Sequence, residues 1–208
     1  FPTGEKVEQS ISQAVWSMHR GVAGPVVPYL LQSTHMALER YVLELHDGAK
    51  GDAEFLYRLE DIAIDAIRRT RSASIAGALT SLVLAHPNDY YRLADILLTS
   101  RKMIQADHER GCVWECQCKS LYDLCPNSEI LQANERKATL QDKFRCETLE
   151  SVMLRYQVEL DSPDHKRRMR MFALLDEYGK SEDEGDQFFV RRADIRKQRI
   201  VQSVDENG

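Results

Sequence analysis

The sequence predicts an all-α protein, an irregular stacked-helix array of the α-solenoid type with about eight helices. Apolar residues recur along most of the chain with the 3.6-residue spacing of helices. The period-two alternation of strands is missing except in RIVQSV at 199–204, which leaves room for a short strand at the C-terminal end. No repeat of fixed length occurs, so the pattern favours an irregular array over a regular repeat family.

Two amphipathic helices are predicted near the N-terminus. The first covers residues 7–18, where apolar side chains form one stripe, and it ends before Gly21. The second covers residues 34–45. There we expect an apolar stripe to face inward, with Glu39 and Glu44 on the opposite, solvated face.

Three further helices follow at short intervals. Residues 53–69 have an amphipathic pattern, whereas residues 72–86 carry no charge from Ser72 to Leu84 and alternate small residues with larger apolar ones. We expect other helices to pack against both faces of this central helix. Asn88 is the predicted N-cap of the next helix, which leads into a cysteine-rich region.

A polar stretch after Pro126 suggests two parts. Residues 1–126 would form an N-terminal helical array, and residues 127–208 a C-terminal helical part with a polar linker and a charged end. One continuous domain is the alternative. Helical apolar stripes resume at 149–160 and, after a break, at 171–178.

The composition is that of a globular domain. Of the 208 residues, 43% are hydrophobic, which is enough to build a core without metals or disulfides. The net charge of −5 argues against a dedicated nucleic-acid or membrane-surface module, and no segment reaches the roughly 20 apolar residues of a membrane span. Five cysteines, an odd and clustered set without a signal-type leader, predict free thiols in the reducing cytoplasm.

The segment DHERGCVWECQCKSLYDLC at 107–125 holds four of the five cysteines and one histidine. The candidate metal ligands are His108, Cys112, Cys116 and Cys125. On a helix the first three share one stripe, while Cys118 lies about 200° round from Cys116. Because zinc sites favour tight Cys-x2-Cys pairs, the spacing favours small buried cysteines over a zinc site.

Basic clusters near the C-terminal end are the second candidate site. The candidate nucleic-acid contacts are Arg167, Arg168, Arg170, Arg192 and Arg196. The acidic SEDEGD at 181–186 lies between the two clusters, and no aromatic residues alternate with the arginines. We therefore expect a solvated face paired with acidic neighbours rather than nucleic-acid binding.

The common catalytic motifs do not occur in the chain. It has no P-loop, no H-E-x-x-H, no G-x-S-x-G and no Glu-x-x-His pair, so we expect it to be non-catalytic and without a cofactor of its own. The histidines outside the cysteine region are scattered, and His35 with Glu39 is interpreted as a surface pair. Trp16 and Trp114 are expected to be core or interface anchors.

Five segments, taken in order, carry a resemblance to a known family. They are AVWSMHRG at 14–21, HMALERYVLELH at 35–46, SASIAGALTSLVLAHP at 72–87, RKMIQADHERGCVWE at 101–115 and RRADIRKQRI at 191–200. In this order they resemble the helical region of very large bacterial STAND-type P-loop NTPases, a class that includes antiviral defence proteins. The resemblance spans most of the chain and consists of packing motifs.

The resemblance implies a scaffold that connects a nucleotide-driven switch to sensing or effector parts. ATP and Mg²⁺ would bind to a P-loop elsewhere in the parent polypeptide, so no catalytic residue is carried over. Trp16, Leu38, Ala78 and Leu79 match positions that would be core, and the cysteine cluster is not part of the family's pattern. Because the chain starts at Phe1 rather than Met, we expect a piece of a longer protein.

Other domains of the same polypeptide, or a protein ligand, are the partners that the resemblance implies. Two other functions stay open at this point: a metal-binding helical regulator that uses the cysteine cluster, and a helical nucleic-acid-binding domain that uses the arginines. Self-association is compatible with either the scaffold or these alternatives.

Overall fold

The computed structural model describes residues 4–20, 29–115, 141–158 and 162–198. Within these ranges the chain is all-α, as predicted, with nine α-helices and no β-strand. The helices are α1 Gln13–Trp16, α2 Tyr29–Ala49, α3 Ala53–Arg69, α4 Ala73–Ala85, α5 Tyr91–Leu98, α6 Arg101–Glu109, α7 Leu149–Val158, α8 Ser162–Tyr178 and α9 Glu184–Ala193. None of these helices is long and apolar enough to cross a membrane.

Shorter helical segments join or extend these elements. They are the 3₁₀ turns Ser17–Arg20, Lys143–Cys146 and Ile195–Lys197 and the π-helical segment Arg110–Trp114. The chain divides into two compact units, Phe1–Val152 and Met153–Gly208. The boundary predicted at residue 126 and the short strand predicted at 199–204 both lie outside the described residues.

Helix α4 forms the centre of the first unit. From Ala73 to Leu84 every residue except Ile75 is buried, which confirms the prediction of a helix packed on both faces. The small side chains permit close approach of other helices. At Gly77 the backbone of Trp16 comes so near that an added Cβ would lie 2.3 Å from the Trp16 carbonyl oxygen.

The N-terminal segment differs from the predicted helix over residues 7–18. Only Gln13–Trp16 is α-helical, and residues 5–9 have no regular structure. Ser10 makes an isolated parallel bridge to Ser72, in which its amide donates to the Arg71 carbonyl at 2.7 Å. This bridge holds the chain extended and explains why the apolar spacing there does not produce a helix.

Helices α2 and α3 differ in how well their patterns predicted their buried faces. The apolar stripe of α3 is buried as expected, with Leu59, Ala63 and Ile67 in the core. On α2 the predicted faces are wrong in part. Val42 of the apolar stripe is buried, but Tyr41 of the same stripe is 59% exposed, and Glu39, expected in solvent, is only 4% exposed. Helix α2 therefore turns a largely polar face toward the core.

The start of α5 also differs from the prediction. Tyr90, not Asn88, occupies the N-cap position, and α5 begins at Tyr91. The amides of Asp89 and Tyr90 both donate to the carbonyl of His86, at 3.1 and 3.3 Å. Because this turn continues directly from the end of α4, the helix begins later than the sequence pattern indicates.

The second unit is built around α8 and α9. Its core contains aliphatic and aromatic side chains from these helices and from the end of α7. The buried ones are Met153, Tyr156, Met171, Leu174, Leu175, Phe189, Val190 and Ala193. Gln157 is buried too and bonds to backbone on either side of the α9 C-terminus, donating to the Ala193 carbonyl at 2.8 Å and accepting from the Ile195 amide at 3.1 Å.

Candidate functional site

The cysteine region is only partly described. Cys116, Cys118 and Cys125 lie outside the described residues, so the four-ligand metal hypothesis has only two described members. His108 and Cys112 do come together, with the Cys112 Sγ 3.7 Å from the His108 Nε2. The Cys112 side chain is exposed rather than part of a core.

The helix through this region is not regular. The α-helix ends at Glu109, and residues Arg110–Trp114 form a π-helical segment. At Gly111 an added Cβ would lie 2.8 Å from the Thr148 side chain, so the glycine permits a close approach of these two segments. A π turn holds more residues than an α turn, so the spacing of a regular α-helix, assumed for the predicted stripe of cysteines, does not hold over Arg110–Trp114.

The arginines proposed for nucleic-acid contact all have partners within the protein. Arg196 donates to Asp194 and Asp176 at 2.8 and 2.6 Å. The guanidiniums of Arg167 and Arg192 lie over the rings of Tyr156 and Phe188, respectively. Arg168 donates to the Val158 carbonyl, and Arg170, on the same helix α8, also has an intramolecular interaction. Among these contacts, the acidic neighbours that the sequence predicts are found at Arg196, whereas those of Arg167, Arg168 and Arg192 are to aromatic rings or a backbone carbonyl.

The main concentration of polar groups is a buried ionic cluster in the first unit. Its members are Arg20, Arg110, Arg145, Glu39, Asp107 and Glu115, with the neutral ring of His19 beside them. Three guanidiniums and three carboxylates balance in charge. None of the seven side chains belongs to a residue more than 8% exposed.

One half of the ionic cluster is centred on Glu39. Its two carboxylate oxygens accept from the Arg145 guanidinium at 3.1 and 3.3 Å. The hydroxyl of Ser81 on α4 donates to the same carboxylate at 2.5 Å, and the Nε2 of His19 lies 3.9 Å away. Glu39 thus joins α2 to α4 and to the turn at Lys143–Cys146.

The other half of the ionic cluster is centred on Asp107 and Glu115. Asp107 accepts from the Arg110 guanidinium at 2.7 Å, the Trp16 indole at 3.3 Å and the Leu149 amide at 2.8 Å. The last contact places a carboxylate at the N-terminus of α7, where the helix dipole stabilises it. Glu115 is paired with the guanidiniums of Arg20 and Arg110.

Burial sets the protonation of His19. It lowers the pKa of His19 from 6.5 to about 4, an effect that the Glu39 carboxylate opposes and the nearby guanidiniums reinforce. The ring is therefore neutral near pH 7. Its Nδ1 lies 3.1 Å from the Trp16 carbonyl oxygen, which can only accept, so Nδ1 carries the proton and donates.

Glu39 is ionised in the same surroundings. Burial alone would raise its pKa, but the charges of His19 and Arg145 lower it from 4.5 to about 2, with smaller effects of Arg20 and Ser81. The His19 charge acts only where that ring is protonated. Near neutral pH the guanidiniums therefore hold the carboxylate in its charged form.

The ionic cluster is suited to fixing geometry rather than to chemistry on a substrate. Its carboxylates accept hydrogen bonds from the protein itself and are closed off from solvent. It joins residues far apart in the sequence, such as Glu39 and Arg145, or Arg20 and Glu115. A fully paired, buried polar network is rigid and holds its members in place.

The sequence pattern did not reveal this cluster. His35 and Glu39 were interpreted as a surface pair, yet both are buried, and His35 lies 2.9 Å from the Ser74 hydroxyl. Gln32, His35 and Glu39 share one helical face, and this spacing was the available signal. The spacing shows that these side chains share one polar face of the helix, but it does not show that this face points toward the core. Trp16 was predicted correctly as a core residue and is fully buried.

A second polar group, absent from the sequence-based candidates, lies at the end of α2. His46, His86 and Asp89 each offer a ligand atom, and these atoms all lie within 4.8 Å of one another. The two imidazole rings are stacked, with centroids 3.4 Å apart and planes at 20°. The Tyr90 hydroxyl lies 2.9 Å from the His46 Nδ1.

We compared the chain with models of known protein families and with curated proteins. Neither comparison found a match.

Proposed function

We propose that this chain is a non-catalytic helical scaffold of a large multidomain bacterial STAND-type NTPase, acting in the cytoplasm in defence or signalling. It would connect the nucleotide-driven switch to sensor or effector parts of the same polypeptide. The observation that carries the proposal is the buried ionic cluster, in which six charged side chains from separate helical segments of the first unit form ion pairs with one another. The ordered resemblance of five segments supplies the family context.

The energetics of buried ion pairs support a scaffold role. Taking charges out of water costs several kcal/mol per ion, and an apolar core of equal volume is often as stable. Such pairs do, however, define one arrangement, because a displaced helix would leave a buried charge without its partner. A segment that transmits movement between domains must keep its helices in one fixed arrangement, because a deformable segment would not pass the movement on.

The contacts of the ionic cluster with several segments of the first unit support the proposed scaffold role. Trp16 contacts both α4, through Gly77, and α6, through Asp107. Glu39 connects α2 to the turn at Lys143–Cys146, and Asp107 connects α6 to the start of α7. A force applied to one of these segments is therefore passed to the others through hydrogen bonds rather than through side-chain packing alone.

The reading frame around these residues tests the proposal. We expect it to continue into a P-loop NTPase domain within the same polypeptide. A reading frame that encodes little more than these residues, or that joins them to an unrelated catalytic domain, would contradict the proposal. The isolated chain should neither bind nor hydrolyse ATP, and hydrolysis by the purified chain would also overturn it.

A second test uses the parent protein. The Glu39→Gln variant should bind ATP like the wild type but lose the dependence of its ATPase on the activating signal. Glu44→Gln, at a 57% exposed side chain of the same helix, is the matched control and should keep this dependence. If folded Glu39→Gln protein keeps the dependence of its ATPase on the signal, the ionic cluster does not couple the signal to the ATPase.

A further inference from the structure

The group formed by His46, His86 and Asp89 lies where two helices end. His46 is in the last turn of α2, and His86 is the C-cap residue of α4. Asp89 follows in the turn that leads to α5, and its amide bonds back to the His86 carbonyl at 3.1 Å. Two histidines that are distant in the sequence are thus brought together by the packing of α2 against α4.

The electrostatics of this place favour a cation. The C-terminal ends of helices carry partial negative charge, and both α2 and α4 end here. The Asp89 carboxylate lies 3.9 Å from the His46 Nε2. Burial and the neighbouring His46 lower the pKa of His86, and the carboxylates of Asp89 and Asp47 oppose this effect. The two carboxylates and the two helix ends together attract positive charge to the edge of the imidazole pair.

Tyr90 orients the His46 ring. Its hydroxyl oxygen, 2.9 Å from Nδ1, can accept a hydrogen bond from that nitrogen and leave a lone pair on Nε2, which faces Asp89. Histidines that bind metals usually donate their second ring nitrogen to such a partner, which fixes the tautomer. Tyr90 is fully buried, so its position is set by the core rather than by the histidine.

We propose that His46, His86 and Asp89 form a binding site for a divalent transition-metal ion, with Zn²⁺ as the ion that fits best. Two imidazoles and one carboxylate are ligands that Zn²⁺ takes in proteins, and three protein ligands leave a fourth position for water. Mg²⁺ and Ca²⁺ prefer all-oxygen sites and should not compete. The proposal concerns residues other than the cysteine cluster and is independent of the proposed function.

Binding requires a small rearrangement of the ligands. Tetrahedral Zn²⁺ with bonds of about 2.0–2.1 Å places neighbouring ligand atoms about 3.3 Å apart. Since the ligand atoms lie within 4.8 Å of one another, their widest separation must shrink by at most about 1.5 Å. An imidazole lone pair lies in the ring plane, so the stacked rings must also turn toward a common point. Asp89 is 45% exposed at its side chain and can swing inward without disturbing the core.

The site would fasten the end of α2 to the turn between α4 and α5. Its effect on the protein is therefore a ligand-dependent stabilisation of the first unit, because an ion that binds only the folded state shifts the unfolding equilibrium. The melting temperature should rise with Zn²⁺ concentration and return to its starting value when a chelator removes the ion.

The test is a titration of the purified, metal-free chain with Zn²⁺ and, as a spectroscopic probe, Co²⁺. We expect one ion bound with the d–d absorption of tetrahedral Co²⁺ and without a thiolate charge-transfer band. Asp89→Asn should weaken binding at least about tenfold, and Tyr90→Phe should weaken it about 10- to 100-fold through the orientation of His46. His86→Gln should abolish the Co²⁺ spectrum.

Two control variants distinguish this site from metal binding by the cysteine region. His108→Gln and Cys112→Ser should leave the affinity for Zn²⁺ unchanged, because they change only that region. Circular dichroism of each metal-free variant checks that it is folded, and the exposed Asp89 carboxylate makes Asp89→Asn the safest variant in this respect. Unchanged Zn²⁺ binding in folded Asp89→Asn and His86→Gln proteins would overturn the proposal. A thiolate band that disappears with Cys112→Ser would overturn it as well.

Discussion

The carboxylate of Glu39 on α2 accepts two hydrogen bonds from the guanidinium of Arg145, which lies 106 residues further along the chain. Both side chains are buried, and the same carboxylate also accepts from the Ser81 hydroxyl. A charged pair so far from solvent connects three segments of the first unit at one point. This pairing explains why Glu39 faces the core of the first unit although Tyr41 on the same helix is exposed.

Removal of the Glu39 charge should strongly destabilise the first unit. Glu39→Gln removes the carboxylate that accepts two hydrogen bonds from the Arg145 guanidinium, which then keeps the partly exposed Asp142 at 3.2 Å as an acidic neighbour. Breaking a buried ion pair costs up to about 3–5 kcal/mol. Glu44→Gln breaks an exposed pair with Arg40 on the same helix and should cost less than about 1 kcal/mol. Urea unfolding of both variants measures the difference, and equal losses would contradict the structure.

Gly77 should not tolerate even one added carbon. An alanine Cβ would lie 2.3 Å from the Trp16 carbonyl oxygen, and a backbone atom cannot move aside as a flexible side chain can. We expect Gly77→Ala to destabilise the protein by about 2 kcal/mol or more, despite the better helix propensity of alanine. Gly48→Ala, on α2 with no atom within 4 Å of the new Cβ, should instead be neutral or stabilising by up to about 1 kcal/mol. Denaturant midpoints compare the two.

Stability should fall as the pH drops below 6.5, because His19 is buried in its neutral form. The unfolded chain takes up the proton near pH 6.5, whereas folded His19 does so only near pH 4. The unfolded state thus binds more protons between these values, and stability is lost as the pH falls, by about 3 kcal/mol at most. The lowered pKa of Glu39 adds a further loss below pH 4.5.

Substitution of His19 isolates its share of this pH dependence. His19→Gln should flatten the slope of unfolding free energy between pH 6.5 and 4, while His165→Gln, at an exposed position, should leave the slope as it is. Unfolding free energies at half-unit pH intervals provide the measurement. A smaller slope should remain, because burial also lowers the pKa of His86. A slope in His19→Gln as steep as in the wild type would contradict the assignment to His19.

In the second unit, Gln157 should be essential for the end of α9. Gln157→Leu removes the donor to the Ala193 carbonyl and the acceptor for the Ile195 amide, and should cost about 2 kcal/mol. Hydrogen exchange at the Ile195 amide should accelerate. Gln198→Leu, which removes exposed bonds to the same segment, should change stability by less than about 0.5 kcal/mol. Protection at Ile195 that persists in Gln157→Leu would show that the bond is unimportant.

The fold class followed from the sequence because helix periodicity depends on local spacing. The charge-free helix at 72–86 was predicted correctly, since a helix without charge has no face suited to water. The sequence pattern gave a wrong prediction where contacts between distant residues determine the local structure. Residues 7–11 have helical spacing, yet the bridge from Ser10 to Ser72 holds them extended.

The polar groups of the core were harder to predict for a related reason. A charged residue is interpreted as solvent-facing unless its partner is known, and the partner of Glu39 is 106 residues away. The same holds for His46 and His86, which look isolated in the sequence and become neighbours only when α2 packs against α4. The cysteines were easier to recognise as a candidate site than these groups, because they lie close together in the sequence.

A double-mutant cycle on Glu39 and Arg145 tests most directly whether the ionic cluster fixes the fold of the first unit. The unfolding free energies of wild type, Glu39→Gln, Arg145→Met and the double variant are needed. We predict that the double variant loses less stability than the sum of the single variants, with a coupling energy of about 2 kcal/mol or more. Losses that add to within about 0.5 kcal/mol would contradict the account.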